Sequence, residues 1–204
     1  MAKHPFDVEN QKLNLNSRIV VGFERMAEVF RVMLWNHARE TGLSPIQIQL
    51  LIFLDSHEES LRTVTHLAKE FNMTKPTISD AIKTLSHKEL ISKTPGAEDA
   101  RSYSVGLTNK GRAIVTEVEG LTLPLERAVD QFSETERKHL YKLLTKLVFQ
   151  LHQSEVIAVQ RTCFACKFHE EKSGGHYCHF INRDLKDHDI RLDCEDFISA
   201  ELNE

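Results

Sequence analysis

Two short helices, each opened by its own cap and followed at once by two strand-like runs, constrain this chain more than any other feature. Thr63 can cap VTHLAKEF, in which Val64, Leu67, Ala68 and Phe71 share one face. Asn72 tolerates the left-handed turn that follows, and Thr74 can cap KPTISDAIKTLSHK, with Ile78, Ile82 and Leu85 directed inward. The period then changes. Ile91-Ser92-Lys93-Thr94 and Tyr103-Ser104-Val105-Gly106-Leu107 read as short strands, joined by the turn-rich Pro95-Gly96-Ala97-Glu98-Asp99-Ala100. Helix, tight turn, helix and hairpin is the order of a winged helix-turn-helix. A small α+β domain whose helices merely pack has the same periodicity, so periodicity leaves both open.

Longer helices bracket this unit. Apolar residues recur at Ile19, Phe23, Met26, Phe30, Met33 and Leu34 between Ser17 and Thr41, with Gly42 as the stop. Ser44-Pro45 opens another helix, running to about Phe53. Thr108 restarts helix, which must accommodate Gly120 and bend or break near Pro124. Ser133-Glu134-Thr135-Glu136 is a capping-box signature ahead of the stripe Leu140, Leu143, Leu144, Leu147 and Leu151. The expected fold is mainly α with a small β-hairpin wing: a winged helix-turn-helix with a helical dimerisation region. A small Cys-rich C-terminal module is appended to it.

The stretch TVTHLAKEFNMTKPTISDAIKTLSHKELISKTPGAEDARSYSVGLTNKGR resembles the MarR family of bacterial transcription regulators. The matching pieces are Leu67-Ala68, the polar helix start from Thr74 to Ser79, Leu85, and Leu90-Ile91 entering the wing. Asp99-x-Arg101 and Leu107-Thr108-x-x-Gly111-Arg112 complete the pattern, and the resemblance covers roughly residues 17 to 152. One departure is Glu89, where the family commonly has glycine before the apolar pair. The resemblance implies a two-fold dimer on double-stranded DNA, with a pseudo-palindromic operator whose half-sites lie about one helical turn apart. It also implies that Arg101 enters the minor groove, that Asp99 orients it, and that a small-molecule effector binds between dimer helices and DNA-binding lobes. Phe30, Trp35 and Leu151 are candidates for the dimer surface, although a monomer core would explain them nearly as well.

Charge agrees with a local DNA-binding face. The formal net charge is −4, yet residues 62–112 carry nine Lys/Arg against five Asp/Glu. Thr74, Lys75, Thr77, Ser79 and Lys83 fall on or near the first turns of the second short helix. There they could read base edges or hold phosphates in a major groove. A merely solvated polar face is the competing account.

All four cysteines of the chain, Cys163, Cys166, Cys178 and Cys194, fall in its last 42 residues. The N-terminus lacks an apolar stretch of signal-peptide length and no run approaches the roughly 20 residues needed to span a bilayer, so a cytoplasmic, membrane-free protein is expected. In that compartment thiols stay reduced, and Cys-x2-Cys followed by two later cysteines reads as a tetrahedral metal site. Zinc and a [4Fe–4S] cluster both take four cysteines, and Phe164, Phe168, Phe180 and Phe197 near the ligands tilt the reading slightly toward iron–sulfur. The order of ligands and aromatics also looks distantly similar to high-potential iron–sulfur proteins. His169, His176, His179 and His188 read as surface or supporting residues, since four cysteines suffice. Residues 161–204 carry six Lys/Arg against ten Asp/Glu, which argues against a second DNA-binding finger.

The expected division is therefore 1–160 for the DNA-binding and dimerisation domain and 161–204 for the metal module. No serine–histidine–acid order, phosphate-binding glycine loop or zinc-protease motif points to an enzyme. The leading expectation is a dimeric DNA-binding regulator, acting as a repressor, whose metal module reports redox or metal state. The alternatives are the same regulator with a purely structural zinc clasp and a small-molecule effector, or an interaction module or redox protein that does not bind DNA.

Overall fold

The computed structural model describes residues 4–95, 103–158 and 161–200. A short helix α1 (Val8–Leu13), absent from the sequence reading, precedes the long α2 (Leu15–Thr41). Gly42 ends α2 at φ 63°, the left-handed conformation that suits a residue without Cβ. Next come α3 (Pro45–Ser56), α4 (Val64–Glu70) and α5 (Lys75–His87). Thr63 and Thr74 cap α4 and α5 by accepting bonds from the amides of His66 and Thr77, and Asn72 takes the left-handed turn between them. Strands β1 (Ile91–Pro95) and β2 (Tyr103–Leu107) pair antiparallel, from Ile91 opposite Leu107 to Pro95 opposite Tyr103. The wing loop, with the expected Asp99 and Arg101, lies outside the described residues.

Helices α3, α4 and α5 close around Ile48, Leu51, Leu67, Ile78, Ile82 and Leu85, all fully buried. The wing is fastened to this core at one close approach. A Cβ on Gly111 would stand 2.0 Å from the Leu90 carbonyl oxygen, so the start of α6 (Asn109–Glu117) tolerates no side chain there. That is the physical content of the glycine in the Leu-Thr-x-x-Gly pattern. The helix breaks after Glu117, passes through a 3-10 turn and resumes as α7 (Leu123–Val129), with Pro124 in its first turn. Helix α8 (Glu134–Gln153) starts at the Ser133 capping box.

Glu89 keeps the turn into the wing without glycine, at a cost. Its φ is 61°, and the amide of Leu90 bonds the Leu85 carbonyl at 3.0 Å, the helix-ending arrangement that normally recruits glycine. Its carboxylate faces only Lys110 at 3.7 Å on an exposed surface, a contact worth little. Glu89→Gly is therefore expected to raise stability by about 0.5–1 kcal/mol. Urea unfolding midpoints check this, and a lower midpoint for the variant would refute it.

The outer helices do not form a monomer core. Phe30 and Trp35 on α2, and Leu140, Leu143 and Leu151 on α8, are all exposed, Leu143 at 65%. Of the predicted α2 stripe, only Met33 is buried. The two apolar faces are thus left without a partner among the described residues of a single chain.

The C-terminal module holds a three-stranded antiparallel sheet, β3 (His169–Lys172), β4 (Gly175–Cys178) and β5 (Arg183–Leu185). Gly174, at φ 99°, makes the reversal between β3 and β4. The sequence reading missed this sheet because His-Glu-Glu-Lys carries no apolar alternation. Among the described residues its own buried hydrophobic core is Cys163, Leu185 and Ile190. The module leans on α8 instead: the Tyr141 hydroxyl donates to the Ile190 carbonyl at 2.6 Å, and Phe149 meets Phe164 at 5.5 Å between centroids.

Candidate functional site

Two sites stand out, the exposed end of α5 and the cysteine cluster, and a buried ion-pair network joins them. On α5, Thr74, Lys75, Thr77 and Lys83 are exposed, while Ser79 is half-buried. The Thr74 hydroxyl is engaged in capping, 2.8 Å from that of Thr77. Lys75 and Lys83 make no ion pair among the described residues, so their charge is available to a phosphate. Three other cations of the segment donate to backbone carbonyls: Lys88 to that of Gly42 at 2.9 Å, Lys110 to that of Lys88 at 2.9 Å, and Arg62 to that of His57.

All four cysteines are free thiols, and all four line one cavity of about 220 Å³. Each reaches it from a different local structure. Cys163 begins a 3-10 turn that brings Cys166 round, its amide bonded to the Cys163 carbonyl at 3.0 Å. Cys178 closes β4, opposite His169 on β3 and Arg183 on β5. Cys194 is held by its amide bond to the Arg161 carbonyl at 3.1 Å. Arg191 serves two sulfurs: its amide donates to Cys163 Sγ at 3.3 Å and its guanidinium to Cys194 Sγ at 3.6 Å. Burial pushes the Cys163 thiol pKa up, and the three neighbouring cysteines add to the shift.

The aromatic surround differs from expectation at Phe164 and at Phe197, neither of which lines the cavity. Phe168 and Phe180 line the cavity and pack 5.2 Å apart, as the sequence suggested. Phe164 instead turns toward Phe149 and the rings of His169 and His176. His169 lines the cavity but is engaged with His176 at 3.1 Å. His176 in turn contacts Asp187 at 3.3 Å, and Asp187 pairs with Lys142 of α8 at 2.8 Å. Burial lowers the His169 pKa, and His176 lowers it further.

Arg161 is the residue that sequence reasoning missed. Only 9% exposed, it bonds Asp193, the neighbour of Cys194, through Nε at 2.5 Å and NH2 at 3.1 Å. Its other face meets Glu70 of α4 at 2.8 and 3.3 Å. His57, stacked on Phe53 at 3.8 Å, reaches the same Asp193 at 2.7 Å. Burial alone would lower the guanidinium pKa, but the bonds to Asp193 and Glu70 outweigh it and raise the pKa, so Arg161 stays charged. The partners lie 32 and 91 residues from Arg161 along the chain, a separation no local pattern encodes. A single clamp thus fastens the loop of one cysteine to the first helix of the helix-turn-helix. No helix among the described residues is long and apolar enough to cross a membrane.

Comparison with known proteins bears on the first of these sites. Residues 41–102 match the MarR family. The chain is 29% identical over 124 residues to the transcriptional regulator AdcR of Streptococcus pneumoniae, covering 59% of this chain and 83% of that protein. It is 28% identical over 122 residues to the HTH-type transcriptional repressor YetL of Bacillus subtilis, covering 57% and 73%. Among solved structures, it is similar to the S. aureus MepR–DNA complex at 26% identity and a TM-score of 0.58, covering 65% of this chain and 97% of that one. MepR in its DNA-binding conformation gives 25% identity and a TM-score of 0.59, covering 65% and 98%.

Proposed function

With residues 41–102 matching the MarR family, we propose that the chain is a dimeric, sequence-specific DNA-binding repressor. Its four-cysteine module binds metal and governs how the DNA-reading heads are held. The similarity to a repressor and to a regulator seen on DNA supports the first half of this reading. Helix α5, with Lys75 and Lys83 exposed and uncommitted, is the element offered to a major groove. The open apolar faces of α2 and α8 favour a two-fold dimer, which brings two such helices to two half-sites.

The observation that carries the second half is the Arg161 clamp. A module whose own buried core is three residues cannot hold its fold by hydrophobic burial alone, and a metal would be the missing staple. Through Asp193 and Arg161, any change at Cys194 is passed to Glu70 on α4, which packs against α5. Such a link satisfies what a sensor needs: two sites and one element that both can bias.

DNA reading is tested by selecting binders from a random duplex library and titrating the winner against salt. The expected product is a pseudo-palindrome with half-sites about one turn apart and a steep loss of affinity with salt. The double change Lys75→Ala with Lys83→Ala should weaken binding across all sequences and reduce the salt slope by about two per head. No enriched sequence, or a slope untouched by the double change, would overturn the assignment of α5.

A further inference from the structure

The geometry points to a polynuclear iron–sulfur cluster, rather than a single zinc ion, as the occupant of the four-cysteine cavity. The inference rests on reading the module as metal-bearing and names the class of metal centre it holds. Four thiolates around one zinc ion at about 2.3 Å must lie within roughly 3.8 Å of one another. Yet all four cysteines are described, and no group of three or more His, Cys, Asp or Glu side chains among the described residues is arranged to hold a metal ion. The four thiols share the wall of a cavity of about 220 Å³, more room than one ion fills. A four-iron cluster answers both facts, because its cysteine sulfurs sit at the corners of a larger tetrahedron with iron and sulfide between them.

The rest of the wall suits the same occupant. Phe168, Phe180, Ile181 and Leu185 supply apolar surface, which shields an iron–sulfur centre from water and tunes its potential. The two donors from Arg191 meet two of the four sulfur atoms, those of Cys163 and Cys194. Hydrogen bonds to cysteine sulfur are a principal means by which a protein stabilises such a cluster. His169, the histidine in the wall, is bonded to His176, which leaves the ligand set to the four thiols.

The test uses the full chain, purified without oxygen, then offered zinc in one portion and ferrous iron with sulfide in another. Iron, acid-labile sulfide and zinc are assayed per chain alongside the visible spectrum. The expected result is about four iron and four sulfide per chain, with a broad visible absorption that bleaches on reduction. Cys178→Ser should lose that absorption, and its far-ultraviolet dichroism shows whether the helical head stays folded. If this variant fails to fold, Cys166→Ser, at a half-buried position, is read in the same way. One tightly held zinc per chain, with no cluster formed when iron and sulfide are offered, would overturn the inference and leave the metal-bearing module standing. Uptake of neither would overturn both.

Discussion

Arg161→Met should release the cysteine module from the helix-turn-helix and abolish any effect of the module's state on DNA affinity. The substitution leaves two carboxylates without their shared cation. Glu70 has a side chain 20% exposed, while that of Asp193 is 47% exposed, so water recovers part of the loss at the second. Removing one partner of a fully buried pair costs about 3–5 kcal/mol, and the partial exposure here reduces that to about 2–3. Arg161→Lys keeps the charge but cannot serve two carboxylates with a planar fork, and should fall between the two. Chemical unfolding read by helical dichroism and by a probe within the module would resolve the separation. Coincident transitions for wild type and an earlier module transition for the variant are expected. The clamp also predicts a pH response. The Arg161 bond, followed by that from His57, holds the Asp193 carboxyl below the usual range. Its contribution is therefore complete above the ordinary aspartate pKa of about 3.9 and is lost as pH falls through the lowered folded value.

Leu143→Glu should split the proposed dimer. Leu143 lies on the open face of α8, away from the Tyr141 and Phe149 side that carries the module. A carboxylate there would be buried against an apolar partner without a cation to pair with. The variant should sediment as a monomer, and its operator affinity should fall by about 100-fold or more, because two linked half-site contacts become one. A wild-type chain that sediments as a monomer would remove the dimer from the account.

The head was legible in the sequence because its boundaries are local chemistry. Thr63, Thr74, Thr108 and Ser133 each sit at the start of a helix and accept the bond their position predicts. The change from helical to alternating period at Ile91 marked the wing within one residue of its end. The convergence of four cysteines on one cavity followed from their clustering. Two things were hidden, each for a physical reason. The apolar faces of α2 and α8 have the same periodicity whether they close on a core or await a second chain, and only burial tells the two apart. The Arg161 clamp joins Glu70, Asp193 and His57 from three distant stretches, and long-range ion pairs leave no periodicity.

The module and the head are therefore best understood as two parts of one regulator, with Arg161 between them. A chain carrying the proposed metal centre should grip α4 differently from one without it, since Cys194 and Asp193 are consecutive residues. The most direct test measures operator affinity of one preparation twice, at one salt concentration, first metal-loaded and then after the centre has been removed by chelation. The account predicts at least a tenfold difference, about 1.4 kcal/mol of coupling, and none in Arg161→Met. Equal affinity in the two wild-type states, with the metal shown to be gone, would contradict it and leave the module a structural clasp.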